Sequence, residues 1–342
     1  MPSLRGRADR ARGSLVLQRR HVLIGAAALL AAPLGAGAQP AARTARVGRL
    51  SPLSAETDAP FMNALRQGLQ ELGWVEGRSF TLVTRFAEGK ADQLPRLAAS
   101  LIQDGVDVIV VGSNPGALAA RKATSSVPIV MVTTGDPIGG GIVTSLAHPG
   151  GNLTGVTALG GALSAKRLEA LKGAVPGIQR VSVLVNPIAP YTGPFMEERE
   201  TVARDLGLKL RVLEAAKPDA LEAAFATMAR ENTQAVMLLT DVMFITERRA
   251  IVAQAARHRL PAVYFDRQFV DVGGLMFYGA SLVHMYRRAA VYVDKILKGA
   301  RPADLPIEQP TMFELVVNLR TARTLGLKIP SAFLQRVDQV IE

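Results

Sequence analysis

Two hydrophobic rhythms alternate along the chain. Short, nearly continuous apolar runs are followed by longer stretches in which apolar residues return every third or fourth position. The sharpest short run is 106–111, where Val106, Val108, Ile109, Val110 and Val111 surround a single Asp107. A strand that is apolar almost throughout is buried on both faces, which points to a parallel sheet between helix layers. The run breaks at Gly112-Ser113-Asn114-Pro115-Gly116 and continues as a helix over 117–123. Further strands are expected at 46–50, 80–86 and 128–132, with helices at 59–72 and 94–103. Phe61, Leu65, Leu69 and Leu72 carry the helical spacing of the first helix, and Gly73 ends it.

The turn residues His148-Pro149-Gly150-Gly151-Asn152 and an extended segment over 153–159 close this first series. A second series repeats the order: helix 166–173, strand 181–185, helix 195–206, strand 208–213, helix 221–231, strand 235–239, helix 246–259 and strand 261–265. Strands alternating with helices imply βαβ units with right-handed crossovers. The expected fold is therefore α/β, with two doubly wound, Rossmann-like lobes. A glycine-broken extended segment 269–278, a helix 282–297, a strand 313–318 and a short helix 321–327 remain, too little for a third core. They are expected to return to the first lobe and cross again to the second, joining the lobes by a multi-strand hinge. The expected division is an export signal over 1–38, lobe 1 over 44–156 plus about 281–311, and lobe 2 over 157–280 plus about 312–342.

The signal changes how the charge is read. Residues 1–38 combine an Arg-rich start, an uncharged apolar run over 22–32 and an Ala36-Gly37-Ala38 cleavage pattern. Arg19-Arg20 resembles a twin-arginine signal, although Gln18 and Val22 depart from its usual neighbours. Six of the 40 basic residues and one of the 29 acidic residues lie here, so the net charge of +11 falls to +6 in the remainder. That charge is scattered, with no basic run interleaved with aromatics, and nucleic acid is not an expected partner. The chain has no Cys, which excludes disulfides, thiolate chemistry and a lipid-modified N-terminal Cys. The four His residues are far apart, so no metal is expected. Gly139-Gly140-Gly141 lacks the Lys-Ser/Thr of a phosphate loop, and no cofactor is expected. Trp74, the one Trp, is expected to pack in a turn.

In open α/β sheets, ligands bind at the carboxyl ends of the strands. Polar residues stand at those ends in both halves. Ser51, Ser113, Asn114, Thr134 and Asp136 come from the first, Asn186, Asp241 and Asp266 from the second, and Tyr278 from the segment that crosses back. Backbone N–H groups after residue 112, with the helix dipole, favour an anion such as a carboxylate. Helix capping by Ser113 or Asn114 explains the same residues without a ligand.

Several stretches together resemble the ABC-transporter substrate-binding proteins of the tryptophan-binding type, in the type I periplasmic-binding fold. They are 61–73, 106–111, 128–137, the turn His148-Pro149-Gly150-Gly151-Asn152 with 153–156, 261–264, 273–279, 292–300 and 313–318. The resemblance implies a monomeric periplasmic protein, soluble after signal cleavage, whose lobes close on a small organic solute. It implies delivery to an ABC permease and its ATPase, with no catalysis. An amino acid or an aromatic or carboxylate compound is the expected solute class. In this scheme Ser113 and Asn114 bind a carboxylate, Asp241 or Asp266 accepts a hydrogen bond from an amine or amide, and Tyr278 lines the pocket. A sensory protein that shows the solute to a receptor is an open alternative. A serine hydrolase built on Ser113 is disfavoured, because residues 112–116 do not fit G-x-S-x-G and neither His148 nor His258 stands in a triad context.

Overall fold

The computed structural model describes residues 43–342 apart from 134, 159–162 and 189–193. The expected signal over 1–38 and the candidate Thr134 lie outside the described residues.

Strands β1 (Ala45–Ser51), β2 (Phe80–Phe86), β3 (Val108–Val111), β4 (Ile129–Thr133) and β5 (Leu153–Thr157) form a parallel sheet in the order β2-β1-β3-β4-β5. The apolar run expected to be buried on both faces is β3. Val108 and Val110 enter one core, Ile109 and Val111 the other. The helices between are α1 (Ala55–Glu71), α2 (Leu94–Gln103) and α3 (Asn114–Ala123).

The second sheet has seven strands: β6 (Arg180–Val185), β7 (Lys209–Glu214), β8 (Ala235–Leu238), β9 (Ala262–Tyr264), β10 (Met276–Ala280), β11 (Phe313–Asn318) and β12 (Gln339–Ile341). Their order is β12-β11-β10-β9-β8-β6-β7, parallel throughout except where β11 runs antiparallel to β10. Helices α4 (Leu163–Ala174), α5 (Pro194–Asp205), α6 (Ala220–Arg230), α7 (Val242–Thr246), α8 (Arg248–Arg257) and α9 (Gln268–Asp271) accompany it. Two further cores flank this sheet. The chain is thus α/β, with two lobes built on parallel sheets.

After β10 the chain leaves the second sheet. Helix α10 (Leu282–Leu297) lies along α1, close enough that a Cβ on Gly68 would stand 2.7 Å from the backbone oxygen of Arg287. Ile307 and Glu308 then bond to the first lobe through Leu146, Gly155 and Thr157, and β11 returns to the second. Two short helices, α11 (Leu319–Thr324) and α12 (Ser331–Leu334), follow. Trp74 packs on the first core and donates to Asp294 at 2.9 Å.

Local chemistry moves several boundaries from their expected places. Ser54 caps α1 and Ser113 caps α3, so both helices begin earlier than their apolar spacing suggests. The expected helix 246–259 runs over Arg248–Arg257, and Asp241 caps a separate short helix ahead of it that stops at Glu247. The segment 269–278, expected to be extended, holds α9 before β10 begins. Among the described residues, no helix is long and apolar enough to cross a membrane.

Candidate functional site

Each sheet has a topological switch point, where neighbouring strands send the chain in opposite directions and a crevice opens at their carboxyl ends. In the first sheet it lies between β1 and β3, and in the second between β6 and β8. Pro52, Ser113, Asn114 and Gly135 from the first edge and Thr240 and Asp241 from the second line one chamber of about 390 Å³, space open to solvent included. Val242 and Ile245, from the second edge, also pack against the first lobe's core. The lobes touch directly: Arg248 donates to Thr57 Oγ1 at 3.3 Å and Gln268 donates to the Thr57 carbonyl at 3.2 Å.

The polar residues of the chamber are already partly committed. Ser113 Oγ accepts from the Gly116 N–H at 3.1 Å, Pro115 has no N–H, and the Ala117 N–H goes to the Ser113 carbonyl. The α3 terminus therefore offers fewer free backbone donors than expected, and the Ser113 hydroxyl proton is its main donor. Asn114 donates to the Asp136 carbonyl at 3.2 Å, while the Asp136 carboxylate accepts from the Ile138 N–H at 2.9 Å. Both brace the turn beneath the chamber.

Asp241 faces these groups from the second lobe. Its Oδ1 accepts from the Met243 N–H at 2.9 Å and, more weakly, from Phe244 at 3.4 Å. Burial raises its pKa above the ordinary carboxyl value, against the Asn186 side chain and the backbone N–H groups, which favour the charged form. Asn186 thus serves Asp241. Beside them is a group the strand-end argument passed over: Thr240 lines the chamber and its buried hydroxyl has no hydrogen-bond partner. Its signal in the sequence was its place next to Asp241, one residue nearer the strand.

The structure does not bring the other candidates into this chamber. Ser51 is fully buried behind it, donating to Asp58 at 2.8 Å. Tyr278 packs on the second lobe's core, its ring stacked on Phe313 and its carbonyl accepting from Arg167 at 2.8 Å. Asp266 opens instead into a separate pocket beside β10.

Ser51 belongs to a buried network that the sequence pattern did not announce. Arg49, 1% exposed, donates to Asp58 Oδ2 at 3.0 Å and Oδ1 at 2.5 Å, and to the Tyr286 hydroxyl at 2.7 Å. Burial is the largest single influence and by itself would lower the Arg49 pKa; the charge and hydrogen bonds of Asp58 together with those of Tyr286 outweigh it and hold the guanidinium charged. Gly112 crosses directly over this network. A Cβ there would stand 2.4 Å from the Tyr286 hydroxyl and 2.6 Å from an Arg49 nitrogen. Gly112→Ala is therefore expected to cost about 1–3 kcal/mol by overpacking, measured by urea unfolding. A loss under about 0.5 kcal/mol would mean that the network yields easily, as an exposed site does.

Comparison with known proteins follows the same lines. A tyrosine-binding protein of Clostridioides difficile (strain R20291) is 23% identical over 295 residues, covering 82% of this chain and 81% of that one. The crystal structure of a conserved domain protein from Vibrio cholerae O1 biovar El Tor superposes with a TM-score of 0.81 at 26% identity, over 87% of this chain and all of that one. A Streptococcus pneumoniae ABC domain in complex with L-Trp superposes with a TM-score of 0.80 at 24% identity, over the same shares of each chain. Residues 48–341 match the family described as ABC transporter substrate binding protein, and the chain belongs to that family.

Proposed function

We propose that this chain is the solute-capturing component of an ABC importer, and that it holds an amino acid or a related aromatic or carboxylate compound between its lobes. One observation carries the reading: a single chamber is walled by the switch points of both sheets, with Ser113 on one side and Thr240 and Asp241 on the other. The tyrosine-binding relative and the neighbour that holds L-Trp support the solute class.

The roles follow from donor chemistry. The Ser113 hydroxyl donates to a solute carboxylate, in the positive field at the start of α3. Asp241 accepts from the solute ammonium, and the unpartnered Thr240 hydroxyl bonds whichever group reaches it. Asn114, Asp136 and Asn186 hold these groups in place. A solute that touches both lobes binds the closed form better and shifts the population toward it. The Arg248 and Gln268 bonds to Thr57 are among the contacts such closure makes. Export through a signal in residues 1–38 would bring the protein to the periplasm, where the permease and ATPase take over the solute.

Titration calorimetry with L-tyrosine and L-tryptophan, together with mass spectrometry of whatever co-purifies, tests this. Ser113→Ala and Asp241→Ala are each expected to weaken the bound solute at least tenfold, the effect of losing a hydrogen bond to a charged group. Unchanged affinity in both variants rejects the assignment.

A further inference from the structure

A second pocket between the lobes shares no lining residue with the chamber. It encloses about 810 Å³, space open to solvent included. Phe61 and Leu282 wall it from the α1 and α10 side, and Asp266, Gln268, Phe277 and Glu314 from the second lobe.

Asp266 is 3% exposed. Its Oδ1 accepts from the Gln268 N–H at 2.8 Å, while its Oδ2 is buried without a hydrogen-bond partner. An unpaired oxygen of a buried carboxylate is costly unless a cation or donor meets it. The cations nearby are engaged elsewhere. Arg267 lies 3.6 Å from Asp271 and 3.5 Å from Glu314, and Arg248 donates to Thr57 and to the Ile245 carbonyl. The pocket's own lining thus holds three carboxylates against one guanidinium. Apart from Gln268 and Ser281, the rest of its wall is aromatic and aliphatic.

We propose that this pocket is a second binding site, and that it takes a small organic cation: a protonated amine carrying an apolar or aromatic body. The ammonium bonds Asp266 Oδ2, and the body lies between Phe61 and Phe277. Both lobes supply walls, so an occupant would add to the contacts that hold them together. The site does not depend on the solute assigned to the chamber.

The probe is 2-phenylethylamine, with 2-phenylethanol as its uncharged counterpart, titrated at pH 7.5 into the wild type, Asp266→Asn and Asp241→Ala. The amine is expected to bind wild type and Asp241→Ala alike. It is expected to bind Asp266→Asn at least tenfold more weakly, and the alcohol to bind wild type at least tenfold more weakly than the amine. A crystal of wild type grown with the amine is expected to show it against Asp266, which keeps the test open should Asp266→Asn fail to fold. Amine binding that survives Asp266→Asn or is lost in Asp241→Ala overturns the proposal, as does no binding to wild type at millimolar concentration. If an amino acid binds through Ser113 and Asp241 while the amine does not bind, this inference alone fails. If the amine binds while Ser113→Ala and Asp241→Ala leave solute affinity unchanged, the chamber assignment alone fails.

Discussion

Asp58→Ala is expected to lower stability by about 3–5 kcal/mol, because it strands the Arg49 charge in the core. Both side chains of the pair are almost wholly inaccessible, at 1% and 0% exposure. Asp58 takes two bonds from the guanidinium and one from Ser51, so its removal leaves three donors without their acceptor. The Tyr286 hydroxyl cannot replace a carboxylate charge, although its ring lies 4.9 Å beneath the guanidinium carbon. For a chain of this size the loss corresponds to roughly 5–8 °C in Tm. The double variant Arg49→Met with Asp58→Leu is expected to recover much of the loss, since apolar groups of similar volume carry no desolvation penalty. Urea unfolding of both variants decides the matter. If Asp58→Ala falls within about 1 kcal/mol of wild type, water reaches Arg49 and the network is not the sealed pair described here.

That network also marks the limit of what was legible in the sequence. Periodicity exposes contacts close along the chain. The runs at β3 and β8 read correctly as strands, since each is apolar on both faces. Capping residues were legible too, yet their consequence was underestimated: Ser54 and Ser113 start their helices upstream of the first apolar residue. The pairing of Arg49 with Asp58 and Tyr286 joins positions nine and 237 residues apart. No local pattern distinguishes such an arginine from one that faces water.

The candidate residues divide for the same reason. Strand-end position is a local property, and it brought Ser113, Asn114 and Asp241 to one chamber. Which way a side chain turns at that end depends on partners elsewhere. Ser51 turns inward because Asp58 waits beneath it, and Tyr278 lies on the face of β10 opposite Phe277, against Phe313. Nothing local in the sequence marks Thr240 apart from the Asp241 that follows it, and only the structure reveals that its buried hydroxyl has no partner.

Asp266→Asn is expected to gain stability relative to wild type as pH rises, by about 2–3 kcal/mol between pH 4 and pH 7.5. Burial is the main cause, pushing the Asp266 pKa from 3.8 to about 6. Asp271 pushes in the same direction, and Arg248 and the Gln268 N–H oppose it. Arg267 and Glu314 share the pocket, and the Tyr286 phenol, itself raised by burial and also influenced by Asp266, lies beyond. The folded carboxyl holds its proton more tightly than the unfolded one. Its contribution is therefore intact below the unfolded value near 3.8 and is lost as pH climbs through about 6. Asparagine has no such ionisation, so the difference between the two proteins must follow that curve whatever the amide itself costs. Urea unfolding of both at each pH measures it, and a pH-independent difference would mean that Asp266 is already paired. The same curve bears on the second site. A cation delivered to Asp266 removes the reason its charge is disfavoured, so 2-phenylethylamine at a hundredfold its Kd should return about 2.7 kcal/mol to wild type at pH 7.5. At the same concentration it should return at most about 1.4 kcal/mol to Asp266→Asn, whose affinity is at least tenfold weaker because the amide offers no charge for the ammonium to meet.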